Sequence, residues 1–279
     1  MDLATIDELH PSWDAERRLL VLVFEHGTAN EMGTAQLEAL ERLCELVEAD
    51  EDVMCLCSTS RRTSSSGKPI FIAGANVTER VGWEDERVLA HVVRQRALLR
   101  RVRRLPVFHV VLVSGVALGW GTEYVLTGDY ALATSLATFA LPETGLGIIP
   151  GARGSGELAD VVGVPQALRL GCTGEVIGAD EARRIGLVQE VVADVDAGLA
   201  RVHALAELLR RRSPAAVAAY KRAVIDARGV PESERLAIER RAYEQMVEHG
   251  EAAIGRANFQ AIVGGQTPAW GPRRSPSDG

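Results

Sequence analysis

The chain is short of positive charge, of cysteine and of long apolar runs, and each shortage excludes something. Lys and Arg number 31 against 38 Asp and Glu, a formal net charge of −7. That balance argues against broad nucleic-acid binding, which needs a basic face. No stretch approaches the eighteen or so uninterrupted apolar residues of a membrane span. The first residues, MDLATIDELHPSW, are acidic and lack a basic segment followed by an apolar one, so no secretory signal is expected. The four cysteines, Cys44, Cys55, Cys57 and Cys172, fit neither a disulfide framework nor a zinc spacing. Cys55 and Cys57 alternate within an apolar run, which predicts two core thiols on one strand face. None of the six histidines falls in a ligand spacing, so no metal is expected. Aromatic residues make up only 5%, and there are no internal repeats. A cytoplasmic protein is the expectation.

What is present is enough for a substantial core. Of 279 residues, 47% are hydrophobic and 25% charged, a globular profile. Leu19 to Phe24 (LLVLVF) predicts a strand whose near-continuous apolarity suits burial on both faces. Gly33 to Ala49 predicts an amphipathic helix with Leu37, Leu40, Leu43 and Val47 on one stripe. Val53 to Cys57 predicts a second strand, Glu86 to Leu105 a long arginine-dense helix, and Val107 to Val113 a third strand. Such alternation argues for βαβ units in an α/β core. From Val164 onward helical patterns dominate: Pro165 to Leu170, Gly178 to Ile185, Ala197 to Arg212, Pro214 to Ala227 and Glu232 to Gly264. One strand candidate, Val188 to Val192, interrupts them. Ser213-Pro214 reads as an N-cap followed by proline at the first helical position. The expected organisation is an α/β core over 1–192, a helical region over 193–270 and a disordered tail over 271–279.

The most informative stretch runs from His109 to Leu158. A β-branched run ends at Ser114-Gly115. A glycine-rich turn (Gly119-Trp120-Gly121) then opens an apolar segment carrying one carboxylate, Glu123. A second carboxylate, Glu143, follows Leu141-Pro142 and precedes a second glycine-rich turn through Gly145, Gly147, Gly151 and Gly154. A carboxylate in an apolar run is costly to bury unless paired or functional. Two of them, each beside such a turn, point to acid–base chemistry.

Three segments in order resemble the crotonase (enoyl-CoA hydratase/isomerase) superfamily. They are Phe71-Ile72-Ala73-Gly74-Ala75-Asn76, Gly115 to Glu123, and Leu141-Pro142-Glu143 through Gly154. Thr173-Gly174, Ala179-Asp180-Glu181-Ala182 and Gly186-Leu187-Val188 are similar to the stretch that follows in that family. The resemblance implies a crotonase-like spiral of ββα units with a C-terminal helical trimerisation region, assembled as a homotrimer or dimer of trimers. It implies an acyl-CoA substrate, with coenzyme A as part of that substrate and no separate cofactor. The N–H groups of Ala75 and Trp120 would form an oxyanion hole for the thioester enolate. Glu123 would activate water toward Cβ, Glu143 would exchange the proton at Cα, and Gly151 would position the water. Ala73, Gly74, Asn76 and Gly119 would contact substrate.

The departures from the family pattern shape the alternatives. Trp120 stands where the family has glycine, so its indole is expected in or over the acyl pocket. Asn76 replaces an aspartate, and Arg153 and Ala140 replace glycines. Gly27-Thr28-Ala29-Asn30 and Gly265-Gln266-Thr267-Pro268 lack the family's usual basic residues, which leaves room for an acyl-carrier thioester. Lys68 and Arg61 are candidates for the CoA phosphates. Hydration or dehydration of a 2-enoyl thioester is the expected reaction. Isomerisation, thioester hydrolysis or decarboxylation on the same fold is the alternative, and a catalytically silent acyl-CoA-binding scaffold is the alternative of another class.

Overall fold

A computed structural model describes residues 2–273. Strands β1 (Pro11–Asp14) and β2 (Leu19–Phe24) pair antiparallel. After helix α1 (Thr34–Ala49) the chain forms β3 (Cys55–Ser60) and β4 (Ile70–Ile72), then α2 (Asp85–Arg103). The pattern repeats as β5 (Phe108–Val113), β6 (Val116–Leu118) and α3 (Trp120–Val125). It repeats again as β7 (Tyr130–Thr134), β8 (Thr138–Ala140), α4 (Gly154–Val162) and α5 (Val164–Thr173). Strand β9 (Ile177–Gly178), α6 (Ala179–Arg184) and β10 (Glu190–Val192) complete the strands.

Each ββα unit gives its first strand to one sheet and its second to another. The six-stranded sheet has the order β1-β2-β3-β5-β7-β10 and the four-stranded sheet the order β4-β6-β8-β9. The central strands of the larger sheet run parallel, and their apolarity follows from burial on both faces. Leu20, Leu22, Phe24 and Leu56 face one cluster, which α1 covers with Leu37, Leu40 and Leu43. Leu19, Val21, Cys55 and Cys57 face the other. Burial pushes the Cys57 thiol up to about 12 and the Cys55 thiol upward too, so both behave as core residues.

One buried side chain ties strand ends together at the site end of the sheets. Asn30 donates from Nδ2 to the Phe24 carbonyl (3.1 Å), Ser60 Oγ (3.0 Å) and the Phe71 carbonyl (2.8 Å). Its Oδ1 accepts from the His26 N–H at 2.9 Å. The ends of β2 and β3 and the middle of β4 are thereby held in register beneath the Ala73–Asn76 turn.

The C-terminal region is α7 (Val195–Leu209), α8 (Pro214–Asp226), α9 (Glu232–Glu248), α10 (Glu251–Ala257) and α11 (Phe259–Val263). Val202 and Ala206 of α7 cover the second face of the larger sheet, so the helical region begins as part of the core. Ser213 caps α8, its Oγ accepting from the Ala216 N–H at 3.1 Å. Lys221 of α8 is buried against Asp129 Oδ2 (2.7 Å) and the Val107 carbonyl (2.8 Å). The single helical pattern read over Glu232 to Gly264 is broken at Gly250, whose φ of +82° leaves the helical region, and again at Asn258. Of the expected tail, Gly271 donates to Glu251 Oε1 (2.9 Å) and Arg273 is buried, with Nη1 on the Val53 carbonyl at 2.8 Å. Residues 274–279 lie outside the described residues.

Candidate active site

The site begins where β6 turns into α3. Gly119 makes that turn at φ +50°. Gly121 lets α3 pass so close to β4 that a Cβ would stand 2.1 Å from the Ile72 carbonyl oxygen. Thr122 fixes the helix from below, its hydroxyl on the Ala117 (2.8 Å) and Ala140 (2.9 Å) carbonyls. All six residues of α3 are buried, Glu123 among them at 3% exposure.

Glu123 is held by the second glycine-rich turn. Its Oε1 accepts from the N–H groups of Ala152 (2.8 Å) and Gly154 (2.6 Å). A Cβ on Gly154 would lie 2.9 Å from that oxygen, so a side chain there would displace the carboxylate. Glu143 opens a helical turn over Glu143–Leu146 directly after β8. Its Oε1 lies 2.6 Å from where a Cβ on Gly119 would be. The two glutamates, twenty residues apart in sequence, are therefore brought to the two sides of one turn. Burial pushes Glu123 up to about 7, and the neighbouring Glu143 carboxylate adds to this against its two backbone bonds. Burial also raises Glu143, whose Oε2 has no hydrogen-bond partner among the described residues.

The remaining predicted residues are Ala73 to Asn76 after β4, Trp120 at the start of α3 and Gly151. Ala73 donates to the Ala29 carbonyl (3.1 Å), and the Gly74 carbonyl (φ of Gly74 +120°) accepts from Met32 at 2.9 Å. Asn76 donates its backbone N–H to the Met32 carbonyl at 2.9 Å. Its side chain accepts from Thr78 Oγ1 (2.7 Å) and the Glu79 N–H (3.2 Å), capping the helical turn Thr78–Arg80. The N–H groups of Ala75 and Trp120 have no acceptor among the described residues. Gly151 faces α2: Val92 would lie 3.1 Å from a Cβ on it, and Arg96 Nε donates to its carbonyl at 3.2 Å.

The Trp120 indole turns inward. It is 2% exposed and stacks on Tyr124, whose hydroxyl meets Ser58 Oγ at 2.9 Å. Ser58 in turn meets His109 Nε2 at 2.9 Å, and burial brings that imidazole down to about 3. Arg61 pairs with Asp196 at 2.7 Å on the surface. Among the arginines of the 94–104 segment, Arg94, Arg101, Arg103 and Arg104 are engaged with acids. Arg96 has no ion pair among the described residues and reaches Gly151 instead. Sequence reading missed Gln95 of α2, whose buried Nε2 has no acceptor among the described residues. A helix dense in arginine reads as a solvated face, and nothing in its spacing singles out one glutamine.

Two buried carboxylates, both raised by burial, beside backbone N–H groups with no acceptor among the described residues, on stacked ββα repeats, define a crotonase-fold protein. An enoyl-CoA hydratase structure from Bacillus anthracis superposes with a TM-score of 0.83 at 30% identity, covering 93% of this chain and 98% of that one. YngF of Bacillus subtilis (strain 168), named as an enoyl-CoA hydratase/isomerase, is 31% identical over 245 residues, 88% of this chain and 92% of its own length. The mouse mitochondrial enoyl-CoA hydratase domain-containing protein 2 is 33% identical over 226 residues, 80% of this chain and 74% of that protein. The enoyl-CoA hydratase/isomerase family as a whole matches residues 63–263. The chain belongs to the enoyl-CoA hydratase/isomerase family, within the crotonase superfamily.

Proposed function

We propose that the chain hydrates a 2-enoyl-CoA, or dehydrates the corresponding 3-hydroxyacyl-CoA, with coenzyme A entering only as part of the substrate. The observation that carries this reading is the convergence of Glu123 and Glu143 on the Gly119 turn. The thioester carbonyl accepts from the Ala75 and Trp120 N–H groups, where negative charge develops as the enolate forms. Ionised Glu123 takes a proton from water whose oxygen bonds to Cβ. The carbon–carbon π electrons move toward the carbonyl, and protonated Glu143 delivers its proton to Cα. Burial suits both roles, since a carboxyl raised toward neutrality exchanges protons readily near neutral pH. Gly151, next to Ala152 of the turn that holds Glu123, helps place the water.

Assembly through the C-terminal helices into a trimer or dimer of trimers fits the large apolar side chains they leave exposed, among them Leu236, Tyr243, Phe259 and Val263. A cytoplasmic setting suits four cysteines that are all free.

The test follows crotonyl-CoA by mass spectrometry with the native protein, Glu123→Gln and Glu143→Gln. A water adduct formed by the native protein and abolished in both variants supports hydration. A product of unchanged mass, lost mainly with Glu143→Gln, replaces the reading with isomerisation. Absence of turnover with undiminished binding in both variants leaves a scaffold.

A further inference from the structure

Helix α1 has an N-terminus that its own sequence does not complete. Gly33 precedes it with no side chain to offer, and its first turn carries no acidic residue. Gln36 accepts from the Gly33 N–H at 3.1 Å, which leaves the Thr34 N–H to a residue far away in sequence. Glu79 supplies the acceptor: its Oε2 takes the Thr34 N–H at 2.9 Å and its Oε1 takes the Thr34 hydroxyl. A carboxylate at this place meets both an open N–H group and the positive end of a 16-residue helix. Burial alone would raise the Glu79 carboxyl, but its bonds to Thr34 outweigh that and hold it below the ordinary range. Gly33 is what lets it in, because a Cβ there would collide with Glu79 Oε2.

The same contact bears on the site. Asn76 joins Glu79 to the Ala73–Asn76 turn, its Oδ1 accepting from the Glu79 N–H at 3.2 Å and the Thr78 hydroxyl at 2.7 Å. The segment leading into α1 runs beside that turn. Ala73 donates to the Ala29 carbonyl (3.1 Å), Met32 to the Gly74 carbonyl (2.9 Å) and Asn76 to the Met32 carbonyl (2.9 Å). Met32 and Ala75 thus form a parallel bridge in which the residues on either side of Ala75 make the bonds. Backbone groups alternate in direction along an extended chain, so the Ala75 N–H turns away from Met32, and it has no acceptor among the described residues. Its aim depends on how firmly residues 29–34 and 71–79 are held together. Asn30 fixes one end at the Phe71 carbonyl (2.8 Å), and Glu79 fixes the other at Thr34.

We infer that Glu79 is a positioning residue for this site: by capping α1 from 45 residues away it locks the Ala75 N–H in line for the thioester oxyanion. This rests on the enoyl-CoA reading above for what that N–H meets. Glu79 acts through Ala75 and need touch no reacting atom, since misplacing an oxyanion donor by about 1 Å costs on the order of a hundredfold in rate.

Two thioesters that differ in charge test this without turnover. Acetoacetyl-CoA ionises to an enolate, read by its near-ultraviolet absorbance, and butyryl-CoA does not. Their affinities are compared on the native protein, Glu79→Ala, Glu79→Gln and Gly33→Ala, each checked for folding by circular dichroism and urea midpoint. The native protein should bind the enolate preferentially. Glu79→Ala and Gly33→Ala should lose about tenfold or more of that preference with butyryl-CoA affinity little changed. Glu79→Gln, whose amide oxygen still accepts from the Thr34 N–H, should keep most of it. Crotonyl-CoA hydration should follow the same order, kcat falling by more than KM changes. An undiminished enolate preference in folded Glu79→Ala overturns the inference. So does a parallel loss of both ligands, which would make Glu79 a stabiliser of the fold alone, and so does a native protein indifferent to the enolate. Failure of the native protein to hydrate crotonyl-CoA, with an enolate preference that Glu79→Ala removes, would instead withdraw the hydratase reading and leave the positioning role.

Discussion

Trp120 stacks on Tyr124, with ring centroids 5.5 Å apart and planes inclined by 22°. Tyr124 also packs edge-on against Phe24 at 5.5 Å and His109 at 6.0 Å, so the residue that stands in place of a family glycine extends an aromatic cluster in the core. The indole is structural bulk as well as a donor, and the backbone N–H of the same residue is the proposed oxyanion contact.

Trp120→Gly separates those two roles. Removing a buried indole leaves a cavity and is expected to cost about 3–5 kcal/mol, read as a lowered denaturant midpoint. The backbone N–H remains, so hydration of crotonyl-CoA in the folded fraction should persist within about tenfold. Loss of turnover in a protein still folded at low temperature would show that the stacked indole is what aims that N–H.

Arg153 occupies the left-handed region at φ +91° as the residue before α4. Its guanidinium is bonded to Glu157 one turn on, a carboxylate that Arg228 also reaches at 3.3 Å. For a non-glycine residue this backbone costs about 1 kcal/mol, and a partly exposed i, i+4 pair contributes about 0.5 kcal/mol at most. Arg153→Gly should therefore hold or raise the melting temperature, whereas Arg153→Ala, which keeps the strain and loses the pair, should lower it. A drop in both variants would mean that the Glu157 contact outweighs the backbone term.

Much of this was legible from residue pattern, and what was not has physical causes. Strand β2 runs over Leu19–Phe24 as read, because a strand buried on both faces is apolar at every position. Strand β3 continues past Cys57 through Ser58-Thr59-Ser60, a buried polar stretch whose Ser58 and Ser60 are met by His109, Tyr124 and Asn30. Those partners are distant in sequence, so the pattern gave no reason to extend the strand. Strands β6 and β8, three residues each, are too short to show a period. Glu123, Glu143 and their turns could be read because a carboxylate in an apolar run is conspicuous. Gln95 could not, since its buried Nε2 lacks an acceptor among the described residues only once α2 is packed in the fold.

The Glu123 carboxyl links stability to activity with opposite signs. Its pKa rises from an ordinary 4.5 in the open chain to about 7 when folded. Between those values the folded protein holds a proton that the unfolded chain has released, so stability falls as pH rises across that window and is level above about 7. Glu123→Gln keeps an oxygen able to accept from Ala152 and Gly154 but cannot ionise. At pH 8 it should be the more stable protein by on the order of 1–3 kcal/mol, and near pH 4 the difference should vanish. Urea midpoints at the two pH values read this directly. On the proposed mechanism Glu123 must be ionised to take the proton from water, so native kcat/KM for crotonyl-CoA should climb to a plateau as pH passes about 7. Activity that is level from pH 5 to 8, alongside the expected stability profile, would remove Glu123 as the base while leaving it a buried acid. An equal urea midpoint for the two proteins at both pH values would mean that the carboxylate is solvated in the folded chain, and the case for a tuned pair at the Gly119 turn would go with it.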